Sequence, residues 1–279
     1  MSIKKAVFWV GFWFCMAMLF NAGIWFFGGQ EKAVEFLGGY VIEQSLSIDN
    51  LFVFLMIFAS FRIEEAYQKR VLTFGIVGAM ILRLLFIFAG ISVVNMFHWV
   101  LYIFGFILIL SGIKMLLKSE EDEKDHKNSK VLKFLKKIMP FTDDLYEDKF
   151  FIRKKKILYA TPLFAILIII ECSDIIFAID SIPAILSFTK DLFIVYTSNV
   201  FAILGLRSMY FLLEKMNSIF RFMKFGVAFI LAFTGVKLSL PILGHGFEIN
   251  DMVSIIVIVG ILGLSILASV VIREKKVAI

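Results

Sequence analysis

Charge is scarce in this sequence. Asp, Glu, Lys and Arg make up 19% of its 279 residues, and only Lys118–Ala160 is polar for longer than a short connection. With a hydrophobic fraction of 60% and a mean hydropathy of +0.91, the composition excludes an ordinary soluble domain and describes a polytopic membrane protein. Cysteine is nearly absent. Cys15 and Cys172 both fall inside apolar runs and there is no CxxC, so neither a disulfide framework nor a thiol motif is expected. Histidine is as rare: His98, His126 and His245 sit near span ends or in loops, whereas a zinc or copper site would draw on His and Cys. No nucleophile–base pair, phosphate loop or GxGD protease motif is visible, so the chain does not read as an enzyme and requires no resident cofactor. The net charge of +6 is not gathered on a soluble domain and gives no argument for a nucleic-acid partner.

What is present is a series of long apolar runs. Eight spans are expected, near residues 6–29, 34–60, 71–94, 97–117, 161–188, 192–213, 222–240 and 252–272. Lys4 and Lys5 before the first run resemble the start of a signal peptide, but that run is too long and is kept as a span. On this map 24 of the 29 Lys and Arg residues fall on one side and three on the other, with Arg83 and Arg207 inside spans. By the positive-inside rule both termini are cytoplasmic. Trp9, Trp13, Trp25 and Trp99 lie toward span ends, as interfacial aromatics do.

The segment 118–160 lies on the basic side. It contains the solvated run EEDEKDHKNSK, then an amphipathic basic helix over Lys130–Met139, suited equally to anionic headgroups or to a linker. A short hairpin formed by Phe150–Ile152 and Ile157–Tyr159 follows, beside an acidic patch at Asp143, Asp144, Glu147 and Asp148 that reads as a solvated face. Protein contacts through this loop are an open alternative.

The chain also repeats. SIDNLF around Asp49 matches AIDSIP around Asp180; Arg83 in MILRLLF matches Arg207 in LGLRSMYF; ILILSGIKMLL matches ILAFTGVKLSL. The reading is one membrane domain over 1–279, with repeat 1 at 34–117 and repeat 2 at 161–240. Each repeat holds three helices, an odd number, so the copies are inverted across the membrane. Inverted repeats with acidic, interrupted helices at their interface mark secondary transporters.

Ionisable residues in the bilayer are costly and are functional candidates by default. Five carboxylates fall in spans: Glu43 and Asp49 in the second, Glu171, Asp174 and Asp180 in the fifth. Asn50 and Ser181, each directly after its aspartate, add neutral oxygens. On a continuous helix six residues turn about 240°, so Glu43 with Asp49, or Asp174 with Asp180, would not grip one ion. Two routes relieve this: the repeats bring Asp49 and Asp180 together, or the helices break, at Pro183 and near Gly38–Gly39. Oxygen ligands suit hard cations such as Mg²⁺, Ca²⁺ and Mn²⁺. Cys172, beside Glu171, is read as inert packing rather than as a ligand. Arg83 and Arg207 are expected to pair with some of the carboxylates. A crowded acidic cluster without metal would take up protons, so metal–proton exchange is a natural coupling. The plainer alternative is that these are structural ion pairs, with Asn95 and Asn199 as interhelical glue.

EQSLSIDN at Glu43–Asn50 and ATPLF followed by ECSDIIFAIDSIPAI within Ala160–Ile185 resemble the TerC family of integral membrane proteins. The resemblance covers roughly spans 2–7. It implies export of Mn²⁺ across the bacterial plasma membrane, within a superfamily of three-plus-three exporters, and carries motif roles onto Glu43, Asp49, Asn50, Glu171, Asp174 and Asp180. The expectation is therefore an all-α, eight-span divalent-cation exporter, with a divalent cation and the lipid bilayer as partners. The rivals are an exporter of small organic cations and a membrane scaffold or assembly factor.

Overall fold

The computed structural model describes residues 2–61, 63–97, 99–117, 132, 135, 137–142, 146, 149–154, 157–215, 222–243 and 249–271, without the side chains of Asp49, Lys154, Ile242 and Leu243. Among the described residues there are eight long helices: α1 Ile3–Gly28, α2 Gln30–Phe61, α3 Glu65–Met96, α4 Val100–Leu117, α5 Pro162–Leu186, α6 Leu192–Lys215, α7 Met223–Ser239 and α8 Asp251–Val271. Seven are long and apolar enough to cross a bilayer. The eighth, α7, has 17 residues and is continued by a 3-10 turn over Leu240–Leu243. The expected all-α bundle is the observed one, and the helices begin and end within six residues of the expected positions, the largest difference being the earlier start of α3 at Glu65.

Local chemistry explains several boundaries. Ser2 caps α1, its hydroxyl accepting from the Lys5 N–H at 3.4 Å. Only Gly29 separates α1 from α2, and it adopts a φ of 90°, which an L side chain resists. Pro162 opens α5, where its missing N–H costs nothing. Asp191 caps α6, accepting from the N–H groups of Phe193 at 2.9 Å and Ile194 at 3.4 Å. Lys32, reaching over from α2 at 2.9 Å, does most to hold the Asp191 carboxyl below the usual carboxylate range. The hairpin pairs Phe151–Lys154 with Ile157–Ala160, register Phe151 to Ala160. Of the helix expected over Lys130–Met139, Leu132, Leu135, Lys137 and Ile138 are described and helical. The run EEDEKDHKNSK and the acidic patch at Asp143, Asp144, Glu147 and Asp148 lie outside the described residues.

Exposed apolar side chains cover the outside of the bundle. Phe26 and Phe27 on α1, Phe88 on α3, Phe106 on α4 and Ile256 on α8 all point away from the protein. In water such a surface would be an aggregation liability; against lipid tails it has no such cost.

The expected helix breaks are not found. Both α2 and α5 are continuous. Pro183 stands three residues from the end of α5, inside its last turn, so it removes a hydrogen bond without interrupting the helix at Asp180. Gly38 and Gly39 are points of close approach rather than hinges. A Cβ at Gly38 would overlap the ring of Phe188, and one at Gly39 would lie 2.7 Å from Ser198 Oγ.

The closest helix packing joins α4 to α7. A Cβ at Gly112 would lie 2.6 Å from the Ala228 carbonyl, and one at Gly235 would lie 2.5 Å from the Gly105 carbonyl. Small residues let the two backbones touch, as they do between membrane helices generally. The pattern also maps onto itself. Adding 123 to Gly112 and Gly105 gives Gly235 and Ala228, so each contact is the other's image across a local two-fold. Neither carbonyl has anywhere to go, so Gly235→Ala is expected to destabilise the protein by about 1–3 kcal/mol. Thermal unfolding in detergent measures it, with Gly260→Ala, which meets nothing within 4 Å, as the control.

Candidate functional site

Helix periodicity decides which polar residues meet. On α5, Glu171, Asp174 and Ser181 follow an i, i+3, i+10 stripe. On α2, Glu43, Ser47 and Asn50 follow i, i+4, i+7. Both stripes turn inward, and Glu43, Ser47, Asn50, Asp174 and Ser181 are all buried. Between them stands Arg83 of α3, 1% exposed.

Arg83 joins the two stripes. Its Nη2 and Nε donate to the two carboxylate oxygens of Asp174, at 2.9 and 3.1 Å, in a bidentate fork. Its Nη1 donates to Glu43 Oε1 and, at 3.2 Å, to Ser181 Oγ. Glu43 is further held by Asn199 of α6, whose Nδ2 donates to Oε2 at 3.0 Å, and by the Ser47 hydroxyl at 3.3 Å. Four helices thus contribute to one cluster, with two carboxylates sharing one guanidinium. It lies at the waist of the bundle, between an apolar cluster containing Ile87, Ile91 and Phe188 and another containing Leu51, Phe58 and Leu72. Asn199 keeps a buried Oδ1 with no hydrogen-bond partner.

Glu171 extends the stripe by one turn. Its carboxylate rests against the bare backbone of α3, where a Cβ at Gly78 would overlap it. Its Oε2 is buried without a hydrogen-bond partner. Glu171 and Asp174 line a cavity of about 20 Å³ with Phe54, Leu72, Gly75 and Leu206, room for one water-sized occupant.

The structure does not bring all the expected residues together. Asp180 faces α4 instead: Ser111 Oγ donates to its Oδ1 at 2.8 Å. The reason is the continuity of α5, which leaves Asp180 about 240° round from Asp174. The Asp49 side chain lies outside the described residues. The expectation that Arg207 shares the neutralising role needs correction. Arg207 is exposed on α6 and donates to Thr73 Oγ1 at 3.1 Å; among the described residues Arg83 is the only cation paired with Glu43 and Asp174. Cys15 and Cys172 are both free thiols, Cys15 exposed on α1. Asn199, read above only as interhelical glue, and Ser47, which was not singled out, both belong to the site. Asn199 carried a signal, since an amide deep in an apolar span needs a partner. Among the described residues no three acidic, histidine or cysteine side chains are close enough to hold a metal ion together. Arg83 itself bridges Glu43 and Asp174.

Residues 28–277 match the integral membrane protein TerC family. The chain is 44% identical over 270 residues to the protein named "Putative membrane-bound redox modulator Alx" of Escherichia coli strain K12, covering 94% of this chain and 83% of that one. To the protein of the same name in Salmonella typhi it is 43% identical over 284 residues, covering 99% and 87%. An uncharacterized membrane protein of Myxococcus xanthus, STKORF319, is 41% identical over 270 residues, covering 97% and 83%. No solved structure matches. With a family match across nearly its whole length and relatives above 40% identity, the chain belongs to the TerC family of multi-pass integral membrane proteins.

Proposed function

We propose that the chain is a secondary transporter that exports a divalent metal cation from the cytoplasm across the bacterial plasma membrane in exchange for protons. The family resemblance implies Mn²⁺ as cargo; the oxygen ligands fit any hard cation. One observation carries the reading. Glu43 and Asp174, which correspond under the repeat, converge on a single buried cationic group, next to the unpartnered oxygen of Glu171 in a cavity of ion size. The guanidinium satisfies these carboxylates as a metal would. A cation entering between them displaces Arg83 from one or both, and a proton taken up by a carboxylate weakens its hold on Arg83 in the same way. The self-matching contact of α4 with α7 supports the inverted-repeat architecture on which alternating access relies. The surplus of basic residues on one side supports a cytoplasmic position for both termini.

A second reading, a membrane scaffold whose ion pairs only lock helices, is favoured by the completeness of Arg83's hydrogen bonds. Glu171 divides the two readings, because a lock has no use for an unpartnered carboxylate. A redox role, the word in the name of the Alx relatives, finds two free cysteines here, Cys15 and Cys172, which form no disulfide. Proteoliposomes loaded with Mn²⁺ are expected to release it when a proton gradient is imposed. Glu171→Gln, which keeps the shape and removes the charge, is expected to slow release about tenfold. Release no faster than from protein-free liposomes overturns the reading.

A further inference from the structure

Below the Arg83 cluster, toward the basic end of the bundle, a second cavity of about 350 Å³ opens to the surface. It is lined by Leu55, Phe58, Ala59, Ile63, Gln68, Tyr210 and Glu214. The two cavities lie on one seam. Along α6, Glu214 and Tyr210 line the lower one, and Leu206 and Ile203 the upper. Along α3, Gln68 lines the lower one, and Leu72, Gly75 and Ala79 the upper. Tyr210 to Leu206 and Gln68 to Leu72 are each one helical turn, about 6 Å. Continued by four residues beyond Ala79, the same face of α3 presents Arg83. Only one layer of side chains therefore separates a surface-open vestibule from the chamber containing Glu171 and Asp174.

That layer is built around a polar contact. The Tyr210 hydroxyl donates to Gln68 Oε1 at 2.9 Å, and Gln68 Nε2 donates to the Ile63 carbonyl at 2.8 Å. Phe58 packs edge-on against the Tyr210 ring. Tyr210, Gln68, Phe58 and Leu72 are all buried. Glu214 stands on the vestibule wall with Oε2 buried and without a hydrogen-bond partner. At the opposite end Phe188 packs onto Gly38, and Lys237 lies 3.6 Å over the Phe188 ring while bound to Asp251 at 2.7 Å.

We infer that the seam between α2, α3 and α6 is the path by which a divalent cation reaches the Arg83 cluster from the basic end, with Glu214 the first carboxylate it meets and the Tyr210–Gln68 hydrogen bond the constriction. The inference rests on the transport reading above, but its geometry is tested without transport. An aqueous vestibule explains why Glu214 and Gln68 stand among Leu55, Phe58 and Ile63. A hydrogen bond at its floor opens and closes at less cost than an apolar plug, because its two partners find water when they part.

The test uses the full chain with Cys15→Ser and Cys172→Ser, in inside-out and right-side-out membrane vesicles. A thiol placed by Ala59→Cys is expected to react with a charged, impermeant thiosulfonate in one vesicle orientation only, the one exposing the basic end. A thiol placed by Gly75→Cys fits without crowding, its Cβ 3.9 Å from Glu171 Oε1. It is expected to be protected from later alkylation by Cd²⁺, slowly with Tyr210 present and about tenfold faster with Tyr210→Phe, the factor for one lost hydrogen bond. Glu214→Gln is expected to slow that protection. An Ala59→Cys thiol that is inert, or equally reactive in both orientations, overturns the vestibule. Protection unchanged by Tyr210→Phe overturns the constriction, and protection unchanged by Glu214→Gln overturns the role of Glu214. If labelling follows the path but Mn²⁺ release stays at the protein-free rate, the path stands and the transport reading fails.

Discussion

Arg83→Met is expected to destabilise the folded protein by about 3–5 kcal/mol, the usual cost of stripping a buried ionic cluster of one sign. Among the described residues the guanidinium is the only cation on Glu43 and Asp174, and its Nε and Nη2 donate to both carboxylate oxygens of Asp174. Without it two carboxylates face each other in a site with almost no water. Adding Glu43→Gln and Asp174→Asn removes that conflict and leaves two amides, the one at position 43 within reach of Asn199 and Ser47. The triple variant should regain most of the loss, as neutral replacements of buried ion clusters generally do. Thermal unfolding followed by size exclusion in detergent reads all three steps. If Arg83→Met melts like the native chain, Arg83 is not the counter-charge the geometry makes it. The triple variant also separates the two functional readings. A helix lock rebuilt without charge should work, whereas a cation transporter without Glu43 and Asp174 should be folded and inactive.

The architecture was legible because each of its causes acts over many residues. Eight sustained apolar runs led to the eight long helices of the observed bundle. The hairpin at Phe151–Ala160 was legible from two short apolar runs around a basic turn. The site was legible in its members but not in its geometry. The motifs pointed to Asp49 and Asp180 because those two residues make the sequence match obvious. Helical periodicity pointed elsewhere: Glu43, Ser47 and Asn50 share one face, and Asp174 and Ser181 share the matching face one repeat later. Pro183 looked like a break at Asp180, but a proline three residues from a helix end has little helix left to break. Arg83 and Arg207 were treated alike because they correspond in sequence. The repeat does not say which of two equivalent arginines occupies an axis that has room for one. Packing decides that, and Arg207 is left on the outer face beside Thr73.

The contrast between Asp174 and Asp180 has the largest expected effect on transport. Both are aspartates on α5, six residues apart and similar in local sequence, yet one takes the fork of Arg83 and the other a serine hydroxyl from α4. If the cation binds where Arg83 now bridges the two carboxylates, Asp174→Asn loses a charged ligand. It also loses the group that draws Arg83 back once the cation has left. Mn²⁺ release from proteoliposomes should fall about 100-fold, the upper range for one charge-assisted contact. Asp180→Asn keeps its acceptor for Ser111 and should change release by less than about threefold, the range of a single neutral hydrogen bond. Equal amounts of monodisperse protein remove expression as a cause. The reverse ranking would move the ion path to the α4–α5 interface, where Asp180 meets Ser111 with Lys114 on the next turn. Arg83 would then become an anchor between helices, and Glu43 and Asp174 would belong to the scaffold and not to the cargo.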